Sequence, residues 1–498
     1  MITNVLEYLE NTVRLQPDKP MFWDEAGFWS AREMRDSAMA AGTALARVIP
    51  FGAPVAVLAE KGNGTLAAFF GAVYAGGFYS LLNPELPDSR LSAVLGTLSP
   101  AVIVAEDALL PRAAALAGDI PVLAVGDLLK TEPDEAALAS IRSRMIDTDP
   151  LYANFTSGST GTPKGVLVCH RSVIDFIEHF TELFGIGEAD VIGNQAPFDF
   201  DVSVKDIYSA LKTGATLVLI PRPLFMRPTA LMDLLIERGV TVMTWAVSAL
   251  SLLSTFHALD YRTPERVKKV LFSGEVMPKK VLEDFMSHLP DATFVNLYGP
   301  TEITCNCTYH VVERGRDYPD GLPLGVPFPN ERVLLLKDDG TIAVAPGEVG
   351  EIAVAGTAPA LGYLNAPDLT AKAFTANPLV RTHHETIYRT GDLGKYGEDG
   401  LLYFCGRRDL QIKHQGHRIE LEEIEVRFSR LPGVSQCCCV YDYEKHKIRG
   451  YFVGDAEKAD VHKALKESLP AFMVPNVLKK LEAFPLNKNG KIDRKALD

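Results

Sequence analysis

The chain has 498 residues, more than one hydrophobic core usually supports, so we expect two to three packed units. Hydrophobic residues make up 47% of the chain and charged residues 23%, as is typical of a folded globular protein. The net charge of −13 argues against a nucleic-acid partner, because that function needs a basic surface. Phosphate binding would therefore depend on loop amides and a few local cations.

The N-terminal segment has no basic region before an apolar run, so we expect no signal peptide and a cytoplasmic protein. The stretch 64–82 is uncharged and long enough to suggest a membrane span, but Gly71, Gly76 and Gly77 interrupt it. It predicts a buried helix that ends at Gly76 and Gly77, followed by a short strand, with no membrane partner.

Seven cysteines include the pair Cys305 and Cys307 and the triplet 437–439. An odd number without a secretion signal predicts reduced thiols. Neither cluster has the further ligands at short spacing that a zinc site needs, so both predict buried thiols in strands.

Apolar, β-rich runs alternate with longer amphipathic stretches through the first 300 residues. The clearest runs are Pro54–Ala59, Ala101–Ala105, Ala215–Ile220 and Val267–Phe272. This alternation predicts α/β layers with largely parallel sheets.

A glycine- and hydroxyl-rich segment, Thr156–Gly165, directly follows the apolar run 151–155. Its glycines allow backbone N–H groups to converge on an anion, and Lys164 adds positive charge. It is not a Walker A loop, because Pro163 precedes the lysine and no Ser or Thr follows it. A flexible linker is the alternative interpretation.

A second motif runs from Asn296 to Glu302, with a turn at Gly299-Pro300. The Tyr298 ring is suited to stacking on a flat base. The Glu302 carboxylate is suited to Mg²⁺, which takes oxygen ligands together with substrate phosphates. A plain turn without a ligand is the alternative.

After about residue 320 the pattern changes to hairpins, beginning with 333–336 and 341–344 joined at Asp339-Gly340. Further along, Asp392 suits a ribose diol and Arg407 a phosphate or ribose hydroxyl. A structural Arg–Asp pair is the competing interpretation.

We predict a domain boundary at residue 408, giving a core at 1–408 and a small α+β domain at 409–498. Apolar residues recur at helical spacing from Ile419 to Leu431, and Pro432-Gly433 follows. Near the end, a turn at Asn489-Gly490 precedes Lys491.

In this order and spacing, these motifs closely resemble the adenylate-forming superfamily of acyl- and aryl-CoA synthetases, adenylation domains and luciferase. Within it, they resemble the amino-acid-activating domains of non-ribosomal peptide synthesis, and the resemblance spans nearly the whole chain. It implies a large N-terminal domain of two α/β sheets plus a distorted β-barrel, and a small mobile α+β C-terminal domain.

The resemblance also implies which residues bind ATP and Mg²⁺. The residues implied at the nucleotide are Thr156, Ser157, Gly158, Ser159, Thr160, Lys164, Gly274, Glu275, Asn296, Tyr298, Gly299, Thr301, Asp392, Arg407 and Lys491. Glu302 would bind magnesium, Asp409 would be the hinge, and Lys491 would be the catalytic cation. The reaction implied is attack of a substrate carboxylate on the α-phosphorus of ATP, followed by acyl transfer to a thiol.

Asp201 matches the family position that binds the α-ammonium group of an amino acid, although a helix N-cap is the alternative. The other positions implied for the substrate pocket are Val202, Lys205, Thr244, Leu271, Ser273, Leu297, Cys305 and Asn306. A buried Lys205 needs a counter-charge, which an acidic substrate side chain or an i,i+4 pair with Asp201 would supply.

The segment 272–278 also resembles D-alanine:carrier-protein ligases, although those enzymes usually have cysteine where Ser273 stands. No carrier segment is evident, so the resemblance implies a phosphopantetheine carrier protein in trans as partner. An acyl-CoA synthetase is the enzyme alternative, and a degenerate nucleotide-binding relative is the non-enzyme alternative.

Overall fold

The computed structural model describes residues 2–158, 162–319, 321–443, 445–485 and 492–497. The chain forms two compact units. The larger one comprises Met1–Asn83, Leu98–Asn154 and Val166–Arg408. The second comprises Pro84–Thr97, Phe155–Gly165 and Asp409–Asp498. The predicted division into domains 1–408 and 409–498 stays a prediction.

The first sheet of the larger unit has nine strands. From one edge to the other they are β15 (Val326–Pro327), β14 (Thr308–Val311), β13 (Thr293–Tyr298), β12 (Lys269–Ser273), β11 (Val242–Ala246), β9 (Val191–Asn194), β10 (Thr216–Leu219), β1 (Pro20–Asp24) and β2 (Gly27–Ser30). The six strands from β13 to β1 are parallel, and the strands at both edges are antiparallel.

The second sheet has seven strands. In order they are β18 (Gly362–Tyr363), β8 (Lys164–Cys169), β7 (Pro150–Thr156), β4 (Phe78–Leu82), β3 (Pro54–Leu58), β5 (Val102–Ala105) and β6 (Val122–Ala124). All four apolar runs named from the sequence coincide with strands of these two sheets. The mixed α/β class predicted from their alternation with helices is confirmed.

A third sheet of the larger unit is antiparallel. Its strands are β16 (Glu331–Leu336), β17 (Val349–Gly356), β20 (Thr386–Tyr396) and β19 (Phe374–Ala376), with β21 (Leu402–Arg407) also paired to β20. The predicted hairpin is only partly correct. The turn at Asp339-Gly340 is present, but Ile342 makes a single bridge to Leu336, and β16 pairs regularly with β17 instead.

Helices cover these sheets in the larger unit. They are α1 (Leu6–Leu15), α2 (Ala31–Ala46), α3 (Asn63–Tyr74), α5 (Leu110–Ala117), α6 (Val125–Leu128), α7 (Glu135–Arg142), α8 (His170–Leu183), α9 (Val202–Thr213), α10 (Pro228–Glu237), α11 (Val247–Thr255), α12 (Ala258–Tyr261), α13 (Lys279–His288) and α14 (Pro367–Ala373). The helix α4 (Asp88–Leu98) lies almost entirely in the second unit.

The uncharged stretch 64–82 forms the buried helix α3 and the strand β4, as predicted. Gly71 allows α3 to approach α2 closely, because a Cβ atom at Gly71 would lie 2.6 Å from the Cβ of Ala41. In the described part of the chain, no helix is long and apolar enough to cross a membrane.

The second unit contains a two-stranded and a three-stranded sheet with two further helices. These elements are β22 (Gln411–His414), β23 (His417–Glu420), α15 (Leu421–Phe428), β24 (Val434–Asp442), β25 (Lys447–Gly454), α16 (Lys458–Ser468) and β26 (Val477–Lys480). The predicted helix is shorter than expected, because Ile419 belongs to β23 and Leu431 follows the helix.

The cysteines only partly follow the prediction. The triplet 437–439 lies in β24, with Cys438 and Cys439 buried. Cys305 and Cys307 are also buried, but they precede β14 and lie outside any strand.

Candidate active site

Asp201 lies at the start of α9, in the larger unit. Its backbone carbonyl accepts hydrogen bonds from the Val204 N–H at 3.0 Å and from the Cys305 thiol at 3.0 Å. Within the described residues, its side chain makes no capping bond to α9. The helix-cap alternative is therefore not observed, and the carboxylate lies beside the residues predicted to form the pocket.

Lys205 follows one helical turn later and is only 1% exposed. Its ammonium group donates a hydrogen bond to Asn306 Oδ1 at 2.7 Å. Burial lowers the pKa of Lys205, while Cys305 and the carboxylate of Asp201 act in the opposite direction. The hydrogen-bond partner of Lys205 is thus the side-chain amide of Asn306, a pairing that the local sequence does not indicate.

A buried polar network continues from Lys205 to its neighbour Asp206. Asn194 Nδ2 donates to Asp206 Oδ2 at 2.9 Å, and Lys61 Nζ donates to the Asn194 carbonyl at 3.2 Å. Burial raises the pKa of Asp206 to about 7 and lowers the pKa of Lys61 to about 7. On α9, the sequence signal was a pair of consecutive charged residues in the stretch 202–211, which is otherwise uncharged.

We expect Asp206→Asn to stabilise the protein more at pH 8 than at pH 5. The folded-state pKa of Asp206, about 7, lies above its ordinary value of 3.8. The stability that this carboxyl contributes is therefore complete below pH 4 and lost as the pH rises to 7. The full shift corresponds to on the order of 4 kcal/mol, of which roughly 3 kcal/mol is lost between pH 5 and pH 8.

The measurement is the difference in melting temperature between Asp206→Asn and the parent protein at the two pH values. Lys61 has a folded pKa below its ordinary one, so its contribution to stability is lost as the pH falls towards 7. The comparison with the parent removes that contribution to first order. The exposed Asp291→Asn serves as control, and a difference that does not change with pH would contradict the prediction.

The segment after β13 has an unusually constrained backbone. A Cβ atom at Gly299 would lie 2.5 Å from the Cα of Asn306, so only glycine fits there. Thr304 and Cys305 both have positive φ, at 47° and 75°. Non-glycine residues adopt this conformation at a cost of about 1–3 kcal/mol each, and such strain clusters at functional sites.

Tyr298, Asp392 and Arg407 form a buried chain of polar contacts. The Tyr298 hydroxyl donates to Asp392 Oδ2 at 2.6 Å, and Arg407 pairs with Asp392 Oδ1. The structural Arg–Asp pair considered from the sequence is therefore present. Each carboxylate oxygen can accept a second hydrogen bond, so this pairing is compatible with a ribose hydroxyl. The predicted ribose role remains a prediction.

Glu302 is completely buried, and its Oε1 accepts a hydrogen bond from the Tyr363 hydroxyl at 2.7 Å. Groups of three or more potential metal ligands are absent among the described residues. A single oriented carboxylate nevertheless fits Mg²⁺, which is commonly held by one or two carboxylates together with substrate phosphates.

The remaining predicted residues of the larger unit lie mostly at the carboxyl ends of neighbouring parallel strands. Thr244 on β11 faces Leu271 on β12 in the strand register, and Ser273 ends β12. The others are Gly274 and Glu275 after β12, Asn296 and Leu297 on β13, Thr301 in the following turn, and Val202 on α9. Ligands commonly bind at this edge of α/β sheets.

The glycine-rich loop belongs to the second unit, and two of its groups predicted to bind phosphate contact carboxylates there. The Gly158 N–H donates to Glu423 Oε2 at 3.1 Å, and Lys164 Nζ lies 3.4 Å from Glu420 Oε1. The Ser157 hydroxyl donates to the Arg418 carbonyl at 2.9 Å. Two of the three contacts are therefore with carboxylate oxygens, and the predicted phosphate role of the loop stays a prediction.

Five further predicted residues lie at or near the ends of elements or outside the described residues. Thr156 ends β7 and is half-buried, and Asp409, the predicted hinge, accepts a hydrogen bond from the Gln411 N–H at 3.2 Å. Ser159, Thr160 and Lys491 lie outside the described residues. Their predicted roles stay predictions.

Comparison with known proteins shows which family this chain is similar to. The family of AMP-binding enzymes matches residues 9–364. A D-alanine–D-alanyl carrier protein ligase of Bacillus cytotoxicus is 32% identical over 515 aligned residues, covering 99% of this chain and 98% of that protein.

Two solved structures are also similar. The crystal structure of IdnL1 aligns with a TM-score of 0.84 and 28% identity, covering 97% of this chain and 98% of that one. Holo-PA1221, a non-ribosomal peptide synthetase protein with adenylation and peptidyl carrier domains, aligns with a TM-score of 0.85 and 26% identity, covering 99% and 84%.

Proposed function

This chain belongs to the AMP-binding enzyme family, and from that premise we propose that it activates an amino acid as its adenylate. The amino-acid carboxylate attacks the α-phosphorus of ATP, forming an acyl–phosphate bond and expelling pyrophosphate. A thiol then attacks the acyl carbon and AMP leaves. The thiol acceptor is the phosphopantetheine arm of a carrier protein in trans, in keeping with the carrier-protein ligases among the relatives.

The observation that carries this proposal is the position of Asp201. Its carboxylate lies at the start of α9 and interacts electrostatically with Lys205 and Cys305, two residues predicted to form the substrate pocket. A carboxylate in this position is suited to an α-ammonium group, which aryl and fatty acids lack. The negative charge of Asp201 therefore favours an amino acid as the substrate.

The other residues align the reacting oxygens and neutralise their charge, and they form no covalent bond with the substrate. Phosphoryl transfer depends mainly on such positioning and charge stabilisation. Tyr298 frames the adenine, Asp392 with Arg407 meets the ribose, and the glycine-rich loop meets the pyrophosphate end of ATP. Lys491 supplies positive charge where the carboxylate and phosphate oxygens meet. Glu302 would hold Mg²⁺, which when bound neutralises phosphate charge.

The substrate side chain has two candidate classes. An ammonium group has three donors, so Lys205 can bind a substrate carboxylate while keeping its bond to Asn306. This makes an acidic side chain the first candidate, for which Lys205 would supply the counter-charge. D-alanine is the second candidate, favoured by the relatives named as D-alanine–D-alanyl carrier protein ligases.

The test is pyrophosphate–ATP exchange with a panel of all common L- and D-amino acids, with simple fatty and aryl acids as controls. We expect exchange to depend on an amino acid. If only fatty or aryl acids support exchange, the Asp201 argument fails. Exchange with alanine but not with glutamate or aspartate would reject the acidic class, and a Lys205→Met variant would then retain its activity. Coenzyme A offered in place of a carrier protein tests the acyl-CoA synthetase alternative.

A further inference from the structure

The residues that directly follow Lys491 are held by a cluster of ionic and backbone contacts within the second unit. Arg494 donates through Nη1 to Glu425 Oε1 at 2.5 Å and through Nη2 to Glu425 Oε2 at 2.9 Å. The same Nη1 donates to the Cys439 carbonyl at 2.6 Å. This bidentate geometry is the strongest and most directional form of an arginine–carboxylate pair.

Glu425 makes a further contact in the same cluster. Its Oε1 accepts a hydrogen bond from the Cys439 N–H at 2.6 Å, so the carboxylate joins α15, β24 and the C-terminal segment. Both charged side chains are largely shielded, with 16% exposure for Glu425 and 28% for Arg494. A pair shielded to this degree is screened less by solvent than a surface pair.

Other contacts hold the segment on either side of Arg494. The Asp493 N–H donates to the Pro485 carbonyl at 2.8 Å, which joins the two sides of the segment that contains Lys491. Leu497 is buried with Cys438 and Tyr451, and the Tyr451 hydroxyl donates to its carbonyl. Among the described residues of this segment, Arg494 contacts α15 through Glu425.

We propose that the Glu425–Arg494 pair is a positioning pair for Lys491, an inference that rests on the proposed function. Arg494 follows Lys491 by three residues, so their Cα atoms are at most about 11 Å apart. A catalytic cation must be held close to its productive position, and a displacement of about 1 Å can cost about 100-fold in rate. The pair fixes the backbone three residues after Lys491.

The experiment measures exchange by Arg494→Met and Glu425→Gln variants of the full chain. We expect kcat to fall by about 10–100-fold, with the KM values for ATP and amino acid unchanged, because the predicted substrate contacts of Asp201 and Asp392 stay intact. Arg449→Met is the matched control, since it removes an Arg449–Asp442 pair on the same hairpin. That control should retain full exchange.

A double-mutant cycle with Lys491→Ala separates positioning from general damage. If Arg494 acts through the lysine, Arg494→Met causes no further loss once Lys491 is alanine. Losses that multiply, or a KM effect without a kcat effect, would overturn the inference. If Arg494→Met does not fold, as judged by thermal melting, Arg494→Lys replaces it and should give a smaller kcat loss that again disappears in the Lys491→Ala background.

The two proposals fail in different ways. Strong slowing by Lys491→Ala with normal exchange by Arg494→Met rejects the positioning role alone. Normal exchange by Lys491→Ala rejects the proposed catalytic lysine, and the positioning role with it.

Discussion

Replacing Lys491 with alanine is expected to slow amino-acid-dependent pyrophosphate–ATP exchange by about 10²–10³-fold, the usual cost of losing one preorganised group that stabilises transition-state charge. The proposed reaction develops negative charge where the carboxylate meets the α-phosphate. In the proposed mechanism Lys164 of the glycine-rich loop would meet the pyrophosphate end of ATP, so it would not replace Lys491 at the α-phosphate. The effect should fall on kcat more than on the KM for ATP.

The control for this change is Lys480→Ala, which removes an exposed lysine of β26 in the same unit. It should exchange at the parent rate. Exchange by Lys491→Ala within a few-fold of the parent, at matched folding, would remove the lysine from the proposed mechanism.

Asp201→Asn is expected to lower kcat/KM for the amino acid by about 10²–10³-fold. Asparagine keeps the shape of the side chain but removes the charge that would face the α-ammonium group. Truncating one partner of a shielded, hydrogen-bonded charge pair costs about 2–5 kcal/mol, and each 1.4 kcal/mol is a factor of ten. Steady-state exchange measured against amino-acid concentration, with the KM for ATP as the unaffected quantity, gives the result.

Asp199→Asn is the matched control for Asp201. It lies two residues earlier and accepts a hydrogen bond from Asn83 Nδ2 at 3.0 Å, so it has a structural partner of its own. Parent-like amino-acid dependence in Asp201→Asn would show that this carboxylate does not bind the substrate. That outcome would favour an aryl or fatty acid as the substrate.

Local sequence patterns were sufficient for many elements of the fold. The run 54–59 became β3, and the glycines at 76 and 77 ended the helix before β4. These predictions succeeded because strand and helix periodicities are local, and burial of apolar side chains reinforces them. The predicted hairpin at Asp339-Gly340 is not a regular strand pair. β16 pairs along its whole length with β17, whereas the segment after the turn makes a single bridge to it.

The pairing of polar groups in the site was beyond local patterns. Tyr298 and Asp392 are 94 residues apart, and Lys205 and Asn306 are 101 residues apart, yet each pair shares one hydrogen bond. All four residues belong to the sequence motifs or to the implied pocket, but short spacings do not indicate which of them are partners. Lys61 and Asp206 were not predicted, because their shared contacts with Asn194 form only in the folded chain.

By itself, the sequence determined the α/β class, the order of the nucleotide motifs and the charge at position 201. These depend on residue types, on short spacings and on the positions where glycine and proline allow turns. The tertiary structure decided that Lys205 bonds to Asn306, that Asp392 is shared by Tyr298 and Arg407, and that Arg494 is held by Glu425. A buried charge without a partner destabilises the fold, because it has lost its contact with water. The partner is set by tertiary contacts, so it cannot be identified from local sequence.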